Sequence, residues 1–281
     1  MRGVGIITDA SVQFLTPRFP GHERVHILPL PIEWEGQRYL APNPRLTAAL
    51  PPSLIHHSPP RITLPSPKEL TQQISALMKT YDGLLVIPAG SSLLDLFQHV
   101  TEAVAATGNN YPIYIVETQT IGVGLGWLVQ AAAADAARGT DVFTTLRRVR
   151  GMVSRIYTAL CARSLTYLDH SGFLEPSQAI IGEMLALYPL FVLEEGRLAP
   201  LHKARSSRHL LDLMQEFTTE FTHLEAAAII HHPQHFRRAA QNLRDRLGNI
   251  GTPLPVHVIE MNTISAVLFG PHTLMLYIRT A

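Results

Sequence analysis

Along the first half of the chain, short unbroken apolar runs alternate with stretches of helical period. The clearest pair lies at 82–97. Leu84, Leu85, Val86 and Ile87 form a run without alternation, as in a strand buried on both faces of a parallel sheet. Behind it, Leu93, Phe97, Val100 and Val104 recur at i, i+4, i+7 and i+11, one face of a helix. Between them, Gly90 allows a tight turn, and Ser91 or Ser92 is placed to cap the helix by accepting a backbone N–H. Such a loop stands at the carboxyl end of a strand, where open α/β sheets bind ligands, and helix N–H groups with a serine hydroxyl suit an anion. A capped helix start serves equally well without a ligand.

The same alternation extends in both directions. A buried strand is predicted at 4–7, closed by Thr8, Asp9, Ala10 and Ser11. The apolar run at 25–32 is broken by Pro29 and Pro31, which favours an edge or a strand end. Prolines crowd 41–67, predicting a long irregular excursion. It ends at a strong helix start: Ser66 as cap, Pro67 as first helical residue and Glu69 completing a capping box, with Leu70, Ile74, Leu77 and Met78 as the buried face. A strand at 113–116 leads to the polar stretch Glu117-Thr118-Gln119-Thr120, then to helices at 122–137 and 142–156.

This order predicts a doubly wound, mostly parallel α/β domain over 1–156. From 157 the pattern changes. Strands at 191–193, 226–231, 255–260 and 274–279, with helices at 207–221 and 233–247, predict an α+β domain over 157–281 with a mixed or antiparallel sheet.

Composition narrows the class. Of 281 residues, 46% are hydrophobic and 16% charged, which describes a well-cored globular protein. A net charge of +1 gives no reason to expect nucleic acid. The single cysteine, Cys161, excludes an internal disulfide and fits a reducing compartment. The N-terminus enters a strand pattern directly, without a secretory apolar region, and no apolar run reaches the roughly 18 residues of a membrane helix. A cytoplasmic protein without a membrane span is expected.

Three motifs invite chemistry. Gly122-Val123-Gly124-Leu125-Gly126 follows a strand and opens a helix, but G-x-G-x-G lacks the dinucleotide fingerprint, so close helix packing is the expected use. His231, His232 and His235 have no flanking carboxylate or cysteine, and Pro233 breaks their register; a solvated loop is expected, with no metal. Gly90-Ser91-Ser92 lacks the second glycine of a hydrolase nucleophile elbow. A serine hydrolase or acyl-transfer enzyme using Ser91 is therefore the alternative, not the leading reading.

A series of strand ends resembles the DegV family of bacterial fatty-acid-binding proteins over nearly the whole chain. Ile6-Ile7-Thr8-Asp9-Ala10-Ser11 looks like its opening I-V-T-D-S-S, and Ile27-Leu28-Pro29-Leu30 like V-x-P-L. Thr63-Leu64-Pro65-Ser66-Pro67 is similar to T-S-Q-P-S-P, with Ile62 in place of the first threonine. The 87–97 stretch lies over I-x-x-S-S-x-L-S-G-T-Y, and Ile115-Val116-Glu117-Thr118 over V-I-D-S. The stretch at 165–173 resembles L-x-Y-L-x-x-G-G-R. Leu187-Tyr188-Pro189-Leu190, Glu195-Gly196-Arg197 and Lys203-Ala204-Arg205 follow in family order.

The resemblance implies an α/β domain, an α+β domain and a non-enzymatic long-chain fatty-acid carrier, with the lipid held between the domains and no other cofactor. The carboxylate would meet loop hydroxyls, carried over as Thr63 and Ser91. Gly90 stands at the first loop serine, and Leu94-Asp95-Leu96 replaces Ser-Gly-Thr, so part of the polar anchor is gone. The candidate ligand-binding set is Thr63, Ser91, Ser92, Asp9 and Arg205. A fatty-acid kinase is the partner that the resemblance suggests. Phe173 and Leu268 replace the arginine and histidine expected to handle an acyl phosphate, which argues against efficient phosphorylation. A homologue acting only through protein contacts is a third reading.

Overall fold

The computed structural model describes residues 3–108, 111–185, 187–249 and 254–281. Two compact units emerge: Met1–Pro31 with Thr63–Ser154, and Ile32–Ile62 with Arg155–Ala281. A division at 156/157 would leave 32–62 with the first half. That segment instead bonds within the second unit: the Asn43 N–H donates to Thr263 Oγ1 at 2.7 Å, and the Tyr167 hydroxyl donates to the Pro51 carbonyl at 2.8 Å. Its strand Pro31–Trp34 lies between Gln37–Leu40 and Arg61–Ile62 in a three-stranded sheet. The proline-dense excursion thus holds regular structure, including the short helix Pro44–Ala49 capped by Asn43.

In the first unit, four parallel strands run in the order Val25–Leu28, Val4–Asp9, Gly83–Val86, Ile113–Ile115. Every residue of the two central strands is buried, the physical origin of their unbroken apolar runs. At the edge, only Leu28 of Val25–Leu28 is fully buried.

Pro67–Met78 starts on the expected capping box, with Ser66 accepting from the Glu69 N–H and Glu69 from the Ser66 N–H. The serines at 91 and 92 do not cap a helix. The helix begins at Leu96, after Asp95, and runs to Ala106, burying Leu96, Val100 and Ala103. Of the glycines at 122, 124 and 126, Gly126 on Val123–Ala137 serves packing: a Cβ there would sit 2.2 Å from the Gln13 carbonyl oxygen. The next helix, Val142–Val153, is tied to it by Asp135, whose buried carboxylate pairs with Arg138 and Arg148.

The second unit is built on a six-stranded mixed sheet in the order Arg197–Ala204, Tyr188–Glu194, Ile156–Ala162, Thr273–Thr280, Leu224–His231, Val256–Glu260. All neighbours are antiparallel except the last pair. Helices Ser207–Thr219 and Arg237–Leu247 cover it, packing Leu210, Met214, Leu243 and Leu247 against Cys161, Ile229 and Leu276. Arg237–Leu247 starts four residues later than the sequence pattern predicts. Three further helices, Leu165–His170, Pro176–Met184 and Thr263–Phe269, have no counterpart in that pattern.

The histidines at 231 and 232 are not solvated. Both are buried; His232 Nε2 lies 2.8 Å from the Thr47 carbonyl oxygen, and His231 Nδ1 lies 2.7 Å from the carbonyl of His232. Among the described residues, no group of histidine, cysteine, aspartate and glutamate has metal-site geometry, and no helix is long and apolar enough to cross a membrane.

Candidate functional site

Parallel strands point their carboxyl ends the same way, so in the first unit three of them deliver polar loops to one sheet edge. Val4–Asp9 ends on Asp9, which is fully buried. Its Oδ1 accepts the Ser11 N–H at 2.9 Å and its Oδ2 the Ala89 N–H at 2.7 Å. Burial pushes the Asp9 pKa up, opposed by hydrogen bonds from Ser11 and Ala89. With both oxygens engaged, Asp9 fastens the loop after Gly83–Val86 rather than facing a ligand carboxylate.

That loop is held from its other side as well. The Gly90 N–H donates to the Thr120 carbonyl at 2.9 Å, and Thr118 Oγ1 donates to the Pro88 carbonyl at 2.8 Å. A Cβ at Gly90 would lie 3.0 Å from Gln119 Cα, so there is little room for a side chain where the family pattern has serine. The Gly90 carbonyl accepts from the Leu93 and Leu94 N–H groups, closing a turn of its own ahead of the helix.

Glu117 sets the electrostatics. Its carboxylate accepts the Ser91 N–H, at 3.2 Å to Oε1 and 3.4 Å to Oε2, and the Gln119 N–H at 3.1 Å. An internal anion therefore occupies a backbone donor that an external one would use. The side chains of Ser91 and Ser92 are exposed. The hydroxyls of Thr8 and Thr120 are buried with no hydrogen-bond partner, a cost of roughly 1–3 kcal/mol for each group.

The structure brings Asp9, Ser91 and Ser92 to this edge. Half-buried Thr63 lies in the same unit, its N–H donating to the Pro31 carbonyl at 2.7 Å. Two residues on, the Pro65 carbonyl lies 2.8 Å from His99 Nδ1 on the Leu96–Ala106 helix. Arg205 belongs to the second unit and is exposed, immediately before the cap Ser206. Glu117, Thr8 and Thr120 are participants that spacing did not single out. Their signal was the polar close of each buried strand, which marks the edge but not the contacts.

Chemically the edge offers hydroxyls and backbone N–H groups. An activated serine needs a base within hydrogen-bond reach; Ser91 Oγ has no histidine partner among the described residues.

In the second unit, Phe173 stacks on Phe269 with ring centroids 5.7 Å apart, and Ser171 Oγ donates to the carbonyl of the neighbouring Leu268 at 2.9 Å. The two residues that replace the expected arginine and histidine thus belong to one apolar patch.

The family model described as "Uncharacterised protein, DegV family" matches residues 3–280. A DegV domain-containing protein of Streptomyces coelicolor is 26% identical over 276 residues, 96% of each chain. The fatty acid binding DegV family protein of Streptococcus agalactiae has a TM-score of 0.86 at 21% identity, over 99% of each chain. The fatty acid kinase B3 protein of Streptococcus pneumoniae, loaded with linoleic acid, has a TM-score of 0.84 at 12% identity, over 99% of this chain and all of the other. At these identities the structural likeness is one of fold, while the family model spans all the strand-end motifs of both units. The chain belongs to the DegV family.

Proposed function

We propose that the protein is a cytoplasmic, non-enzymatic carrier of a long-chain fatty acid, with the carboxylate received at the carboxyl edge of the parallel sheet. The observation that carries this reading is the pair of buried, unpartnered hydroxyls, Thr8 at the end of the strand Val4–Asp9 and Thr120 on the loop after Ile113–Ile115, at the edge where Ser91 and Ser92 are exposed. Relatives of the same fold that carry fatty acids support the choice of ligand. Ser91, Ser92 and Thr63 supply hydroxyls to the head group, and Asp9 holds the loop in place. The acyl chain provides most of the affinity: at roughly 0.8 kcal/mol per buried CH₂, ~14 methylenes supply about 11 kcal/mol before the costs of binding.

Native mass spectrometry of the purified chain, with organic extraction of any bound lipid, tests this. A stoichiometric acyl species, or saturable uptake of added fatty acid, is expected. Neither retained lipid nor uptake would overturn the carrier reading. Turnover of an acyl ester that Ser91→Ala abolishes would favour the hydrolase instead.

A further inference from the structure

The second unit contains a cleft of about 530 Å³ whose lining includes Arg163, Ser207, His235, Arg237, Arg238 and His272, and no carboxylate. Arg237 reaches outward to Glu260 at 3.3 Å. Arg163 lies over the ring of Tyr188, 4.5 Å from its centroid. Neither Arg163 nor Arg238 has an ion-pair partner among the described residues. His235 and His272 meet edge to face with ring centroids 3.9 Å apart. Burial and the adjacent histidines His272 and His232 push the pKa of His235 down to about 4, and burial, Arg163 and His232 lower that of His272. Positive charge is crowded here.

The backbone adds donors. The helix Arg237–Leu247 has Phe236 at its cap position, at φ 60°, with no side-chain cap bond. Its first N–H groups therefore lack the acceptor that serine, asparagine or aspartate would supply. A bulky residue in the left-handed region is also strained, a feature that clusters at ligand sites. Guanidinium forks beside an uncapped helix start match the several oxygens of a dianion better than those of a single carboxylate. Tyr188 and Phe236, 6.4 Å apart and edge to face, give the cleft an apolar wall for an esterified group.

We propose that this cleft binds a phosphate-bearing ligand, through Arg163, Arg238 and the uncapped start of the Arg237–Leu247 helix. The site lies wholly within the second unit and does not depend on the fatty-acid reading.

The test uses the full chain in two arms. Inorganic phosphate is titrated while the imidazole signals of His235 and His272 are followed by NMR, with chloride at matched ionic strength as control. Vesicles of phosphatidic acid in phosphatidylcholine, against phosphatidylcholine alone, are assayed by flotation. Saturable, phosphate-specific shifts identify a soluble phosphate ester as the source; binding to phosphatidic acid without such shifts identifies a lipid headgroup. In either case Arg238→Gln, an exposed position, should weaken binding at least about tenfold with thermal unfolding unchanged, and Arg163→Gln should weaken binding as well. The proposal is overturned if neither probe binds, if chloride reproduces the shifts, or if Arg238→Gln leaves binding intact.

Discussion

Asp9 Oδ2 accepts the Ala89 N–H at 2.7 Å, joining the carboxyl ends of two neighbouring parallel strands across 80 residues of sequence. This bond fixes the loop that presents Ser91 and Ser92. The burial of Asp9, which outweighs this bond, also makes stability depend on pH in an unusual direction. Burial raises the Asp9 pKa, so the folded chain holds this proton more tightly than the unfolded chain does. The contribution of Asp9 is most favourable below the unfolded value of about 3.9 and is lost as pH rises from there through the folded pKa. The stability of the native protein minus that of Asp9→Asn, from urea unfolding at a series of pH values, should fall with rising pH and then level off. A difference that rises with pH would contradict this.

Ser91 and Glu117 should respond to mutation with opposite signs. Ser91→Ala removes a hydroxyl from the proposed carboxylate site and should weaken fatty-acid binding by roughly 1–3 kcal/mol. Glu117→Gln keeps an acceptor for the Ser91 N–H but removes a like charge, and should strengthen binding by roughly 1 kcal/mol. Added salt should shrink the Glu117 effect. Titration with a fluorescent fatty acid measures both, and no change in either variant would place the head group elsewhere.

Two helical glycines separate packing from propensity. Gly126→Ala drives a methyl into the Gln13 backbone and should cost more than the ~1 kcal/mol of helix propensity it gains. Gly151→Ala, on Val142–Val153 with nothing within 4 Å of the new Cβ, should stabilise by up to about 1 kcal/mol. Denaturant unfolding of the two variants should show opposite shifts of midpoint.

A fatty-acid kinase should act poorly on the loaded protein. The Phe173–Phe269 stack and Leu268 offer no cation to an acyl phosphate. Incubation with such a kinase and ATP should yield acyl phosphate slowly, and the double variant Phe173→Arg with Leu268→His should raise the rate. Rapid, stoichiometric formation by the unaltered chain would contradict the expectation.

What could be read from the sequence was what is local or repetitive. The central strands announced themselves because both their faces are buried, and Ser66 with Glu69 because a capping box closes within four residues. The helix after Gly90 was expected too early. Its serines have good cap chemistry, but the Ser91 N–H is taken by Glu117, 26 residues away. The helix Thr263–Phe269 escaped notice because all of its side chains are buried, which erases any amphipathic period. His232 looked like loop because its partner, the Thr47 carbonyl, lies 185 residues off. The same distance effect hid the allegiance of 32–62. At the candidate site the polar strand ends were visible, while the self-occupied donor at Ser91 was not.

The only thiol in the sequence, Cys161, lies on Ile156–Ala162 with strands paired on both sides, fully buried. Burial pushes its pKa far above the usual thiol range, so the reactive thiolate is suppressed as well as shielded. Alkylation must therefore wait for the six-stranded sheet to open. With reagent in excess, the labelling rate becomes a clock for that opening. The protein thus carries a native reporter of conformational opening in its second unit, read by mass alone, against which lipid and anion ligands can each be scored for how long they hold the sheet shut.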